Sequence, residues 1–359
     1  MARRHPRRIP RGNFAMDAPR DVCDSKPPAT PGQEPPGHTC MTDIVLHQYA
    51  DSPFSEKIRL LLGYKHATWK RVEIPVIMPR PDLMPLTGGY RRTPVMQLGA
   101  DIYCDSALIA RVIDHILPEN SIYPAGNEAT VNAAARWTDS EFFRICISVA
   151  FQPRALAQSP LFSDPQAADA FMRDRRELTG GTSLTMPLAT ALPAFHGHLA
   201  RLDRQLGSSA FLFNSTPTEA DFSTYHCCWF VWRNPALETE FAPYPHLLKW
   251  MDVMREFGHG DATELSSADA VELARRVSPR VADGKSLAPM DGLRPGEDVQ
   301  VMATDYGRQP VAGVLMQSTL EHISLLREHP RVGTVAVHFP RQGFQVERTT
   351  ADAGSQHGD

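Results

Sequence analysis

Three short clusters carry side chains able to do chemistry. In LHQYADSPFSEKIRLLLGYK, residues 46–65, an apolar strand-like run ends at the corner Asp51-Ser52-Pro53-Phe54, and helical spacing begins at once. A hydroxyl beside the amides of a helix N-terminus suits stabilisation of an anion, because both aim partial positive charge at it. Ser52 is the hydroxyl at that corner. Tyr49 and Ser55 are alternatives, Ser55 being expected as the helix cap, and Ser52 can equally serve to shape the turn before Pro53. In RRTPVMQL, residues 91–98, Pro94 opens a strand behind a basic pair. Arg92 can meet a carboxylate with paired hydrogen bonds, and Arg91 competes for that role. In DIYCDSALIARVIDHIL, residues 101–117, Asp105-Ser106 stands where a strand gives way to a helix. Helix N-terminal amides bind carboxylates well, although a plain N-cap explains the same residues.

These clusters need a scaffold. Residues 44–50 and 69–75 read as strands, 94–98 and 101–104 as a hairpin around Gly99-Ala100, and 55–65 and 106–117 as amphipathic helices. The order β-α-β, a gap, then β-β-α is that of a thioredoxin-type domain. Beyond it the composition turns helical, with helices expected over 128–152, 166–178, 188–206, 219–233 and 244–257. TPTEADF carries a start signal, Thr218 with Asp221 three residues on. A polar stretch over 258–290 has one expected helix at 267–276. The last stretch reads as β-β-α-β-β: strands in DVQVMATD, VAGVLMQS, TVAVHFP and FQVER, and a helix over TLEHISLLREH. At such a length this unit needs a surface to bury against.

The first two regions resemble the cytosolic glutathione S-transferases over about residues 43 to 257. SPFSEKIRLLL is similar to that family's Ser/Cys-Pro-Phe corner followed by a helix with a basic residue. RRTPVMQLGADIYCDSALI is similar to its basic residue, x-Pro, hairpin and acidic-Ser pair, and PTEADFSTY to the capping box of its helical domain. The resemblance implies a thioredoxin-like domain at 43–124, an all-helical domain at 128–257, a linker at 258–290 and a small α+β domain at 291–350 outside the family pattern. Residues 1–40 are expected to be a disordered leader, with Met41 opening the first ordered segment, and 351–359 a disordered tail.

The resemblance also implies roles. Ser52 would hydrogen-bond the glutathione sulfur and lower its pKa, and Ser rather than Cys favours conjugation over disulfide exchange. A cis peptide would precede Pro94, exposing the backbone of Val95, beside Thr93, to pair with the cysteinyl part of glutathione. Arg92 would meet the glycine carboxylate, Ser106 the γ-glutamyl carboxylate and Asp105 its ammonium. The family usually has Glu or Gln, one methylene longer, where Asp105 stands. Trp137, Phe142, Phe143, Trp229, Phe230 and Trp232 are candidates for the wall of an electrophile pocket, though an aromatic stripe is more often core.

The implied activity is attack of glutathione thiolate on a hydrophobic electrophile, as in detoxification, by a cytoplasmic homodimer with glutathione as co-substrate and no metal. The alternatives are a non-catalytic binding protein on the same fold, or a glutathione-dependent isomerase or dehalogenase. Composition agrees. A net charge of -4 and 22% charged residues over 359 positions give no basic excess for nucleic acid. No run approaches the apolar length that spans a bilayer. The six cysteines lack paired metal spacing, and Cys227-Cys228 reads as two small buried residues in a reducing compartment.

Overall fold

The computed structural model describes residues 43–213, 215–280 and 292–349. The expected leader at 1–40, Met41 and the tail at 351–359 lie outside them, as do residues 281–290 of the expected linker and residues 291 and 350 of the expected small domain.

The first region runs β1 (Ile44–Gln48), α1 (Pro53–Tyr64), β2 (Thr68–Glu73), α2 (Leu83–Thr87), β3 (Val95–Leu98), β4 (Asp101–Cys104) and α3 (Ser106–Ile116). β1 pairs parallel with β2 and antiparallel with β3, which pairs antiparallel with β4. Side chains alternate along β1: Ile44 and Leu46 join the core under α1 and α3, while Val45 joins the core on the opposite face. Ser52, not Ser55, caps α1; Ser55 lies inside the helix. Gly63 in α1 has a packing reason. A Cβ there would fall 2.1 Å from the Gly258 carbonyl oxygen.

The helical region begins with α4 (Glu128–Trp137), a π-helical turn (Thr138–Phe142) and α5 (Phe143–Ala150), which continue one another. Single turns α6 (Pro153–Leu156) and α7 (Pro160–Ser163) lead to α8 (Pro165–Leu178), α9 (Leu188–Leu206), α10 (Glu219–Trp232) and α11 (Pro245–Arg255). Phe142, Phe195, Phe222 and Phe241 are wholly buried in one core with α1 and α3. Each such ring contributes on the order of 1.5–3 kcal/mol, so this packing fixes the π turn, α9 and α10 in the core shared with α1 and α3. At the start of α10 the expected capping box is present: Thr218 N–H and Oγ1–H both donate to Asp221 Oδ2 at 2.9 Å. β5 (Asp261–Glu264), which has no counterpart among the expected elements, pairs parallel with β2, and α12 (Ser267–Arg276) packs Ala270, Val271 and Ala274 on the second core.

The C-terminal stretch is strand-rich: β6 (Asp298–Ala303), β7 (Val311–Ser318), β8 (His322–His329), β9 (Gly333–Pro340) and β10 (Phe344–Arg348). The helix expected over TLEHISLLREH is strand β8 instead. Its Leu, Glu and Arg favour helix locally, but Ile323, Ser324 and Leu325 are all buried between β7 and β9, and strand pairing decides. β9 pairs parallel with β4, so the described strands form one ten-stranded sheet in the order β10-β6-β7-β8-β9-β4-β3-β1-β2-β5. A side-chain chain crosses the seam. His338 of β9 bonds Asp101 of β4 (3.0 Å) and Ser324 of β8 (2.8 Å), with its ring stacked on Tyr103, centroids 4.5 Å apart.

Candidate functional site

A cavity of about 190 Å³ opens where α1, the Arg92–Pro94 segment, the start of α3, the π-helical turn and the C-terminal strands meet. Arg92, Thr93, Pro94, Asp105 and Ser106 line it, beside Phe54 and Tyr90. Thr93–Pro94 is a cis peptide. The segment is held from behind by the buried Arg80, whose guanidinium donates to Arg91 O (2.8 Å) and Thr93 Oγ1 (3.0 Å). Asp105 sits at φ 78°, a conformation rare for a side chain that has a Cβ. Its Oδ1 accepts from Ala107 N–H at 3.0 Å, capping α3 and leaving Ser106 buried at the first turn. Backbone strain of this kind costs about 1–3 kcal/mol and gathers at functional sites.

Ser52 and Val95 do not line the cavity. The Ser52 hydroxyl oxygen accepts from Ser55 N–H at 3.2 Å, and the residue is 2% exposed. Val95 is buried between His47 of β1 and Cys104 of β4. Arg91 turns to α8, pairing with Asp174 at 2.8 Å. Arg92 faces the cavity but is already engaged. Its guanidinium donates to the Asp305 carboxylate and the Tyr306 carbonyl, and lies 4.0 Å from the Tyr306 ring centroid.

Several lining residues had no local signal in the sequence. Thr304, Asp305 and Tyr306 come from the β6–β7 connection, Gly343 and Phe344 from the β9–β10 turn and the start of β10, and Arg136, Asp139 and Ser140 from α4 and the π turn. A π turn shifts the face that a helix presents. Behind it lies a buried charge network. Lys57 Nζ donates to Asp139 Oδ2 (2.7 Å) and Glu219 Oε1 (3.4 Å), and His226 Nε2 bonds Asp139 Oδ1 (2.9 Å). Burial opposes the Asp139 charge, but Lys57 and His226 outweigh it and hold the carboxyl below its ordinary value. Burial likewise opposes a charged His226. The adjoining Cys227 and the Asp139 carboxylate outweigh it, pushing His226 up to about 9. Since burial pushes the Cys227 thiol itself well up, that thiol is uncharged at neutral pH and Asp139 is the partner that holds the His226 proton. Burial also pushes the phenols of Tyr90 and Tyr306 up, so both remain protonated.

The expected aromatic wall is only partly at hand. Phe142 belongs to the core, Trp137 is exposed and stacks on Phe142, and Phe143 touches both Phe54 and Phe230. Among the described residues no group of His, Cys, Asp and Glu is placed to hold a metal ion. No helix of the described residues is long and apolar enough to cross a membrane.

Comparison with known proteins bears on these elements directly. Residues 46–121 match the family model for the glutathione S-transferase N-terminal domain, and 175–252 that for its C-terminal domain. A crystal structure of a GST-like protein from Pseudomonas syringae is 38% identical, with a TM-score of 0.71, over 85% of this chain and 100% of that one. This chain belongs to the glutathione S-transferase family. Other transferases match less of it. One from Rhodospirillum rubrum F11 is 16% identical over 59% of this chain and 87% of that one (TM-score 0.45). One from Ceriporiopsis subvermispora, solved in complex with glutathione, is 20% identical over 60% and 97% (TM-score 0.45). No curated protein matches. The 85% span is wider than the two transferase domains, so the Pseudomonas syringae relative shares chain beyond them.

Proposed function

We propose that the chain binds glutathione in this cavity and adds its thiolate to a hydrophobic electrophile. The observation that carries the reading is the convergence of Thr93, Pro94, Asp105 and Ser106 on one cavity next to the capped end of α1. Ser106 and the first amides of α3 would take the γ-glutamyl carboxylate, and Asp105 the ammonium. The cysteinyl backbone would run beside Thr93-Pro94, with Val95 behind it. Ser52 uses its oxygen as an acceptor for the helix cap, which leaves its O–H free to donate. Donated to the sulfur, that hydrogen bond lowers the thiol's pKa, and the positive end of α1 acts in the same direction. The thiolate then forms the new bond to carbon as the electrophile's leaving group departs or its double bond takes up a proton. The reading includes a cytoplasmic homodimer, which sedimentation would test.

Calorimetry with reduced glutathione, followed by a conjugation assay across electrophile classes, tests it. Binding with turnover supports the transferase reading, and absence of binding overturns it. A second reading, binding without catalysis, is favoured by the burial of Ser52 and by the hold of Asp305 and Tyr306 on Arg92. Binding with no conjugate from any electrophile would support that one.

A further inference from the structure

Arg92 reaches the cavity with its hydrogen bonds already committed. Both leave from one nitrogen: Nη2 donates to Asp305 Oδ1 and to Tyr306 O. A guanidinium meets a carboxylate with paired bonds along its Nη1–Nη2 edge or its Nε–Nη2 edge, and both edges need Nη2. Arg92 Nε is buried without a partner among the described residues, and the Tyr306 ring covers the guanidinium face at 4.0 Å. The segment that supplies Asp305 and Tyr306 joins β6 to β7 and is pinned at both ends. Thr304 N–H donates to Gly343 O at 3.0 Å, and Gly307 N–H to Leu178 O of α8 at 2.8 Å. Gly307 adopts φ +61°, and a Cβ there would lie 3.1 Å from Arg92 Nε, so glycine lets the segment close this far over Arg92. Asp305 is half exposed, and an ion pair of that kind contributes little alone. The pinned backbone is what keeps the carboxylate on Arg92, and it makes the segment a fixed wall.

With the γ-glutamyl head at Ser106 and the cysteinyl backbone beside Thr93-Pro94, Arg92 is the next cation along the segment that would receive the ligand's C-terminal end. We infer that Asp305 is a specificity-determining residue that stands in for the ligand's terminal carboxylate on Arg92. The site then prefers a γ-glutamyl thiol peptide whose C-terminal end is neutral, an amide or an ester, to glutathione with its free glycine carboxylate. A second carboxylate brought to Arg92 meets the charge of Asp305 and finds both Nη2 hydrogens taken. A neutral end needs neither. Asp305 and Tyr306 lie outside both matched transferase domains, so the selectivity belongs to the added strands of this chain. The inference rests on the glutathione reading and names the C-terminal end that the same site accepts.

Calorimetry on the full chain, with glutathione and with its glycine monoethyl ester, tests it, since the two ligands differ in that one charge. The parent should bind the ester at least as tightly as glutathione. Asp305→Ala should tighten glutathione by roughly ten fold, the scale for a hydrogen bond to a charged group, and leave the ester within about twofold. Asp305→Asn, which keeps an acceptor without the charge, should give a smaller gain. Arg92→Gln added to Asp305→Ala should return glutathione to the parent's affinity, because the gain passes through the freed guanidinium. A parent that binds glutathione about tenfold tighter than the ester overturns the inference and leaves the glutathione reading standing. So does an Asp305→Ala protein in which the ratio of the two affinities is the parent's. If the parent binds neither ligand, the glutathione reading falls and the inference with it.

Discussion

Ser52 serves two ends with one hydroxyl: its oxygen caps α1, and its proton is left to give. The two roles separate by mutation. Ser52→Gly keeps most of the cap stability, losing only a few tenths of a kcal/mol, whereas Ser52→Ala costs about 1 kcal/mol. Both should lower conjugation turnover by about ten to a thousand fold, the scale for losing one preorganised donor. Both should also raise the pKa of the bound thiol, read from its ultraviolet thiolate absorbance. Turnover equal to the parent's across pH in Ser52→Gly would remove Ser52 from the chemistry. The buried histidines give a second residue-scale expectation. His226 is raised to about 9, so the folded state holds a proton that the unfolded state releases near 6.5. Its contribution to stability is complete below pH 6.5 and is lost as pH rises through 9, at a slope of at most about 1.4 kcal/mol per pH unit. Burial lowers His47, His198 and His322 to about 4, which has the opposite sign: their contribution is present above 6.5 and lost as pH falls towards 4. Urea unfolding should therefore show greatest stability near pH 6.5. The alkaline decline should be shallower in His226→Gln, and an unchanged decline would assign it to other groups.

At the scale of elements, the signals that survived folding were those with a local mechanism. Thr218 and Asp221 announce the start of α10 through two hydrogen bonds that need only three residues of separation. The buried Asp221 also accepts from Leu212 N–H at 2.9 Å and Trp250 Nε1–H at 3.3 Å. Asp221→Ala should then cost about 2–4 kcal/mol, since it strips several buried donors as well as a cap. Ser266→Ala, at the exposed cap of α12, should cost about 0.5–1 kcal/mol. Similar losses for the two in denaturant titrations would refute the difference. TLEHISLLREH had the reverse fate. Leu320, Ile323 and Leu326 repeat at helical spacing, yet β8 is laddered on both edges, against Ser318 to Val314 of β7 and Pro340 to Gly333 of β9, and that pairing outweighs the local pattern. The same holds for the site. Pro94 and the Asp105-Ser106 pair, which do line the cavity, could be singled out in the sequence because turn and cap chemistry is local; Ser52 was singled out by the same local chemistry but caps α1 without lining the cavity. Arg136, Asp139 and Asp305 were not, because only the packing of α4 and the C-terminal strands against α3 brings them to the cavity.

For the whole molecule, the C-terminal strands act as part of the body. β9 buries Val335, Ala336, Val337 and Phe339, and strands β6 to β9 share the second core with β3, β4 and α12. Ending the chain after residue 280 should expose that apolar surface, lower the melting temperature and promote self-association, seen by calorimetry and light scattering. A truncated chain that melts at the parent's temperature and remains monodisperse would show that the strands are dispensable to the fold. Truncation should also strip Thr304, Asp305, Tyr306, Gly343 and Phe344 from the cavity and release Arg92.

The parallel pairing of β4 with β9 also sets an order in time. During synthesis β4 is made long before its partner β9, so β4 is an open sheet edge while the intervening chain emerges from the ribosome. At about 5–20 residues per second, that interval is roughly ten to fifty seconds. Throughout it the nascent chain carries an unpaired strand able to template a neighbour on the same messenger. A finished chain refolding from denaturant has no such wait and faces only the entropy of closing a long loop. Yield from the cell and yield from the test tube therefore answer to different steps: the first to how long β4 waits, the second to how fast β9 finds it.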